Sequence, residues 1–250
     1  MRLTIRITRT TISFTAPNTV IEGQTDFEQY SMKTGISVAA NLREALAQCR
    51  LLQVQPQTMA TSSLGGTSQY HPIFDQVRVY VDTPLLLIPA EEFDESAVPL
   101  LYRHVNTGYQ NDDVLATPIN GTNTMAAFAL DKDMRFVLTE HFISVQFLPL
   151  LSPVLAEFSR LACGGFQEKL FCYFHDKRVD VCAFRKSHIR FCSSFDATSA
   201  ADSAYFILNT WKQLAMRPTD VLCISGNVMG HEALIKQLEQ FVKNIRHINI

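Results

Sequence analysis

Two carboxylates, Asp176 and Asp180, stand four residues apart around Lys177 and Arg178. Carboxylates so placed can ligate Mg²⁺. In a tight hairpin the same side chains bond their own backbone or meet the neighbouring cations in solvent, and the local sequence favours that plainer reading. Ser225-Gly226-Asn227 ends an apolar run just before a helical pattern. Gly226 permits a sharp turn, and the N–H groups opening the next helix can receive an anion. An ordinary strand-to-helix turn also selects Ser, Gly and Asn. Asp82 precedes Thr83-Pro84 and reads as an Asp-initiated turn. His175 and His188 have no carboxylate at ligand spacing and read as turn and surface histidines. Cys172, Cys182 and Cys192 recur at a regular interval that invites a metal. Each falls on a separate predicted strand, however, whereas structural cysteine sites use tight loop pairs. No metal site is expected.

Other chemistries lack their signatures. There is no GxSxG, HExxH or GxxxxGK[ST] sequence, so the hydrolase, zincin and P-loop classes have no support and no catalytic residue is assigned. Ser62 to Gly66 contains a glycine pair without the strand and lysine that a phosphate cradle needs. Six cysteines without a CxxC pair suggest reduced, mostly buried thiols and a cytoplasmic location. The net charge of −2 argues against nucleic acid or an anionic membrane surface. No signal sequence is expected at the N-terminus. The apolar stretch Phe142 to Phe158 is broken by Gln146, Pro149 and Pro153, so membrane insertion is not expected. Charged residues make up 18 % of the chain, fewer than usual, which favours a face that binds a partner.

The elements that must position these residues are clearest in the C-terminal hundred. Lys169 to Phe174, Val179 to Phe184 and His188 to Phe195 read as three strands of an antiparallel meander, joined by tight turns. Ala204, Ile207, Leu208, Trp211 and Leu214 then fall at helical spacing, and Pro218 ends that helix. Asp220 to Ser225 suits a buried strand. A second helix turns Leu234, Leu238, Phe241 and Val242 inward, and Arg246 to Ile250 closes as a strand.

The first half repeats this order. Leu3 to Ile7, Thr11 to Ala16 and Phe27 to Met32 are three β-rich runs, followed by a helix with Leu42, Ala45, Leu46, Cys49 and Leu52 on one face and Ser37 as its N-cap. Gln76 to Val81 is the next strand, after a mobile Ser/Thr/Gly-rich loop from Met59 to Tyr70. An insertion from Pro84 to Leu130 has no counterpart in the second half. It predicts a helix within Glu91 to His104, a polar loop over Asn106 to Asp113, and strands at Val114 to Ile119 and Met125 to Leu130. A helix near Lys132 to Thr139 and a strand at Phe142 to Phe147 follow. Ser152 and Pro153 are expected as N-cap and first residue of a crossing helix. The duplicated βββαβ order predicts an α/β chain of two lobes, 1–148 and 149–250.

This double pattern resembles the actin, sugar kinase and heat-shock chaperone superfamily, with its two ribonuclease H-like lobes. It is similar, more distantly, to the cytoplasmic actin-like proteins of type IV pilus assembly and type II secretion, whose first lobe carries a small extra subdomain. The run Val81-Asp-Thr-Pro-Leu-Leu-Leu-Ile-Pro-Ala-Glu-Glu-Phe93 resembles a bacterial family of unknown function with an actin-like fold. The superfamily resemblance implies an ATP site in which each lobe's first hairpin turns through Asp and Gly. The corresponding turns here are Ile7-Thr-Arg-Thr10, with neither, and Phe174-His-Asp-Lys-Arg178, with Asp176 alone. Because Cβ atoms disfavour positive φ, both turns are expected to have lost the phosphate-binding form. Ser225-Gly226-Asn227 resembles the adenosine-side turn, and Asp82 lies where the superfamily keeps polar residues. The resulting expectation is a catalytically inactive, pseudo-ATPase fold that serves as an interaction or assembly module. A protein is its partner, with a second copy of the chain as an alternative, and no cofactor is needed. The other reading is a divergent nucleotide-binding protein, a slow ATPase or small-metabolite kinase. It would hold ATP and Mg²⁺ in the interlobe cleft through Asp82, Asp176, Ser225, Gly226 and Asn227. Redox sensing through the cysteines is a third possibility.

Overall fold

The computed structural model describes residues 1–18, 21–53, 74–164, 167–186, 188–228 and 230–250. The Met59 to Tyr70 loop, its Ser62 to Gly66 glycine pair and Ser187, in the tight turn expected between the second and third strands of the C-terminal meander, lie outside the described residues. In chain order the elements are β1 (Arg2–Ile7), β2 (Thr11–Pro17), β3 (Thr25–Ser31), α1 (Val38–Gln48), α2 (Arg50–Gln53), β4 (Gln76–Val81), β5 (Leu85–Pro89), α3 (Val98–Val105), β6 (Asp113–Pro118), β7 (Thr124–Leu130), α4 (Lys132–His141), β8 (Val145–Pro149), α5 (Ser152–Ala162), β9 (Lys169–His175), β10 (Arg178–Arg185), β11 (His188–Asp196), α6 (Ala200–Gln213), β12 (Val221–Gly226), α7 (His231–Leu238) and β13 (Asn244–His247).

The chain divides into two compact units. The first comprises Met1–Thr83, Asn106–Leu115 and Ala129–Leu150, the second Pro84–Val105, Ala116–Phe128 and Leu151–Ile250. Each holds a five-stranded sheet, ordered β3-β2-β1-β4-β8 in one and β11-β10-β9-β12-β13 in the other. A third sheet, β5-β7-β6, comes from the inserted segment. The two large sheets have the same topology. In each, the first strand runs antiparallel to the second and parallel to the fourth.

In the first unit, Leu3, Ile5 and Ile7 alternate with Arg2, Thr4 and Arg6, and the apolar set is buried, as the period of a strand requires. Val77, Val79 and Val81 do the same on β4. Helix α1 buries Leu42, Ala45 and Leu46, and the Ser37 hydroxyl accepts from the Ala40 N–H as its N-cap.

The second unit's sheet is covered on both faces. On one, Leu170, Cys172, Phe174, Val179 and Val181 meet Ile207 and Trp211 of α6 and Leu234 and Leu238 of α7. On the other, Phe171, Cys182, Phe184 and Cys223 meet Leu155 and Phe158 of α5, with Ile119 and Ala126 from the inserted segment. Phe158 stacks on Phe171 with ring centroids 4.5 Å apart.

Several expectations are corrected. Glu91 to His104 is a 3₁₀ turn at Ala90–Glu92 and then α3. The break comes at Asp94, whose carboxylate takes the Ser96 N–H and hydroxyl and so begins a new helix. Leu151 is the N-cap of α5, and Ser152 its first residue. The strand expected at Phe142 to Phe147 begins at Val145, and the last strand ends at His247. Helix α7 stops at Leu238, so Val242 is buried after the helix while Phe241 is 63 % exposed.

Candidate functional site

The β1–β2 turn of the first unit closes on itself. Thr8, almost fully buried, aims its hydroxyl at the turn's own backbone. Its Oγ1 accepts the N–H of Thr10 at 3.3 Å and that of Thr11 at 3.1 Å. The Thr8 N–H donates to the Thr11 carbonyl. A phosphate cradle needs convergent N–H groups open to a ligand; here a side chain already occupies two of them. Asp82 belongs to the same unit, one residue past β4, and its N–H donates to the Ile7 carbonyl at 3.0 Å.

The β9–β10 turn of the second unit is different. Its two central residues, Asp176 and Lys177, have φ of 44° and 59°, and His175 pairs with Arg178 across it. Positive φ at both positions marks a type I′ hairpin. Side chains with a Cβ disfavour left-handed backbone, yet Asp176 and Lys177 both adopt it here. The turn is short enough, and the strand twist demanding enough, to impose it.

Beside this hairpin runs the end of β12. Gly226 pairs with Phe174 in parallel register, the Asn227 N–H donates to the Phe174 carbonyl at 2.9 Å, and the Ser225 hydroxyl donates to the Cys172 carbonyl. Gly226 has φ +84°, and a Cβ added there would sit 2.2 Å from the Phe174 oxygen. No other residue fits. Ser225, Gly226, Asn227 and Asp176 are thus gathered by the neighbouring ends of β9 and β12, while Asp82 is carried by the other unit. Helix α7 does not start at this turn but at His231, with Gly230 as an N-cap that offers no side chain.

A buried polar chain passes behind the hairpin. The Asp180 carboxylate is within 2.7 Å of His175 Nε2 through one oxygen and accepts the Ser194 hydroxyl through the other. Residues His175 and Asp180 are 7 % and 3 % exposed, so the expectations of a surface histidine and a solvated aspartate are both overturned. Partners on both oxygens are what a buried carboxylate requires. The order also matters chemically. In a serine–histidine–aspartate relay the imidazole stands between hydroxyl and carboxylate; here the carboxylate is in the middle, so His175 cannot take a proton from Ser194. Sequence reasoning missed this chain, although a two-residue turn puts residues 175 and 180 diagonally opposite on one face.

The cysteines also rearrange the expectation. Cys172 and Cys182 face opposite sides of the sheet, in different apolar clusters, so the three regularly spaced thiols form no common site. Burial pushes the Cys172 and Cys182 thiols well up, and the Cys223 thiol to about 11. Among the described residues no helix is long and apolar enough to cross a membrane.

A protein from Bacteroides thetaiotaomicron with an actin-like ATPase fold and unknown function superposes with a TM-score of 0.83 at 21 % identity, covering 99 % of this chain and 90 % of its own. A PilM–PilN type IV pilus biogenesis complex aligns with a TM-score of 0.51 at 10 % identity, over 99 % of this chain and 88 % of that one. At such identities the likeness concerns the fold, and the fold is actin-like: α/β, with a duplicated ribonuclease H-like plan. No curated protein sequence matches. The family model described as "Protein of unknown function (DUF3822)" matches residues 66–245, and the chain belongs to that family.

Proposed function

We propose that this chain is a non-catalytic actin-like fold that works by binding another protein. The observation that carries the reading is the β1–β2 turn, where Thr8 occupies the N–H groups of Thr10 and Thr11. An ATPase of this plan needs phosphate contacts from both halves, and one half has closed its own. A second feature supports a protein partner. Helix α3 leaves Leu100, Leu101 and Val105 exposed at 76 %, 49 % and 64 % while burying Val98 and Tyr102. Apolar side chains grouped on one short helix suit an apolar segment of another protein. PilM was solved together with PilN, an instance of an actin-like protein engaging a partner.

Calorimetric titration of ATP and ADP with Mg²⁺ tests the catalytic half of the reading. The expected result is no saturable heat up to millimolar nucleotide, about −4 kcal/mol or weaker. For the binding half, capture from lysate is compared between the wild type and Leu100→Glu/Leu101→Glu. Loss of a specific protein with the double variant supports α3 as the contact; equal capture by both overturns it. Self-association of the purified chain at micromolar concentration would instead make a second copy the partner.

Divergent nucleotide binding is the second reading, favoured by the left-handed Asp176-Lys177 turn beside the Gly226 close approach. Micromolar nucleotide affinity that falls with Asp176→Ala or Asn227→Ala would establish it in place of the first.

A further inference from the structure

Cys182 on β10 and Cys192 on β11 lie directly opposite each other in antiparallel register. Their sulfurs are 3.1 Å apart, and both are free thiols. Directly opposed residues of antiparallel strands have Cα atoms about 4.5–5.5 Å apart, inside the range that disulfides use. A disulfide bond is about 2.05 Å long, so the sulfurs need approach by only about 1 Å. Among the described residues no third sulfur, imidazole or carboxylate joins the pair at metal-ligand spacing, so a metal does not account for the arrangement. We propose that Cys182 and Cys192 are a reversible oxidation site, forming a cross-strand disulfide when the protein meets a peroxide.

The two thiols are unequal. Cys182 is fully buried among Phe171, Phe184 and Phe158, whereas Cys192 is partly exposed on the outer strand of the sheet. Cys192 is therefore the sulfur a peroxide reaches. Its sulfur attacks one peroxide oxygen, the O–O bond breaks, and the products are Cys192 sulfenic acid and one molecule of alcohol or water. The Cys182 sulfur then attacks the Cys192 sulfur, the S–O bond breaks, and the hydroxyl leaves as water with the Cys182 thiol proton. The two electrons gained by the peroxide come from the two thiols. A dithiol reverses the step by exchange. Burial holds the Cys182 thiol up, so its proton passes to the departing hydroxyl as the sulfur–sulfur bond forms.

The test uses the full chain with Cys163→Ser, which removes the exposed cysteine, treated with hydrogen peroxide and digested with trypsin without reductant. Cleavage at Arg178, Arg185, Arg190 and Lys212 places the two thiols on peptides 179–185 and 191–212. The expected product is these two peptides joined, lighter than their sum by two hydrogens, and separated again by dithiothreitol. The oxidised protein should also melt several degrees higher than the reduced one, since the bond closes a short loop across β10 and β11. Cys192→Ser, at the less buried position, should abolish the joined product and leave Cys182 unmodified in the folded protein. Conversion of Cys192 to the sulfinic acid with peptide 179–185 left as a free thiol would overturn the proposal.

Discussion

Gly226 is held in place by the Phe174 carbonyl, which a Cβ would approach to 2.2 Å. Gly226→Ala should therefore cost about 3 kcal/mol or more in chemical denaturation, whatever the turn binds. It is a test of the fold. Asn227→Ala, which keeps the backbone donor to Phe174, is the variant that can report on a ligand. Asp220 shows a different balance. Burial would raise its carboxyl, but the side-chain and backbone donors of Arg217, with the Glu168 N–H, outweigh that and hold it below the ordinary value. A carboxyl lowered in the folded state stabilises above its unfolded pKa and stops doing so as pH falls through its folded one. Unfolding curves between pH 6 and 2 should show that acid loss in the wild type. Asp220→Asn should lack this component and be less stable at neutral pH by about 1–3 kcal/mol. Most of that belongs to the backbone donors, because the Arg217 side chain is 63 % exposed.

Helix α5 sets an aromatic ring against the buried face of the second unit's sheet. Phe158 stacks on Phe171 and meets Phe184 edge-on, so Phe158→Ala should destabilise the chain by about 3–5 kcal/mol in denaturant. Leu100→Glu on α3 should move stability by no more than about 0.5 kcal/mol, because that side chain is 76 % exposed. Strands and helices were legible where their apolar periods, two on β1 and three to four on α6, follow directly from which face is buried. Their ends were less so. Val242 continues the helical spacing of Leu234 and Leu238, yet α7 has already stopped, and only the buried position survives. Turn chemistry was least legible. The Thr8 closure needs knowledge that the hydroxyl points inward. The His175–Asp180–Ser194 chain and the Cys182–Cys192 contact both require the hairpin registers, which sequence spacing suggests but does not fix.

Over the whole molecule, the same strand order is built twice from unrelated side chains, and the two copies have treated their first turns in opposite ways. One is sealed by Thr8; the other keeps a left-handed backbone without glycine. That second turn also bears on how the chain folds. An L-residue at positive φ costs about 1–2 kcal/mol relative to the right-handed region, and Asp176 and Lys177 both sit there. The β9–β10–β11 meander is the most local part of the second sheet, since the parallel β9–β12 pairing must wait for about fifty intervening residues to close. If the meander nucleates folding, Lys177→Gly should accelerate refolding several-fold in stopped-flow measurements and leave the unfolding rate nearly unchanged. An unchanged refolding rate would place hairpin closure after the barrier. The strained turn then acts as a brake on assembly, slowing the sheet's first step while leaving its finished form intact.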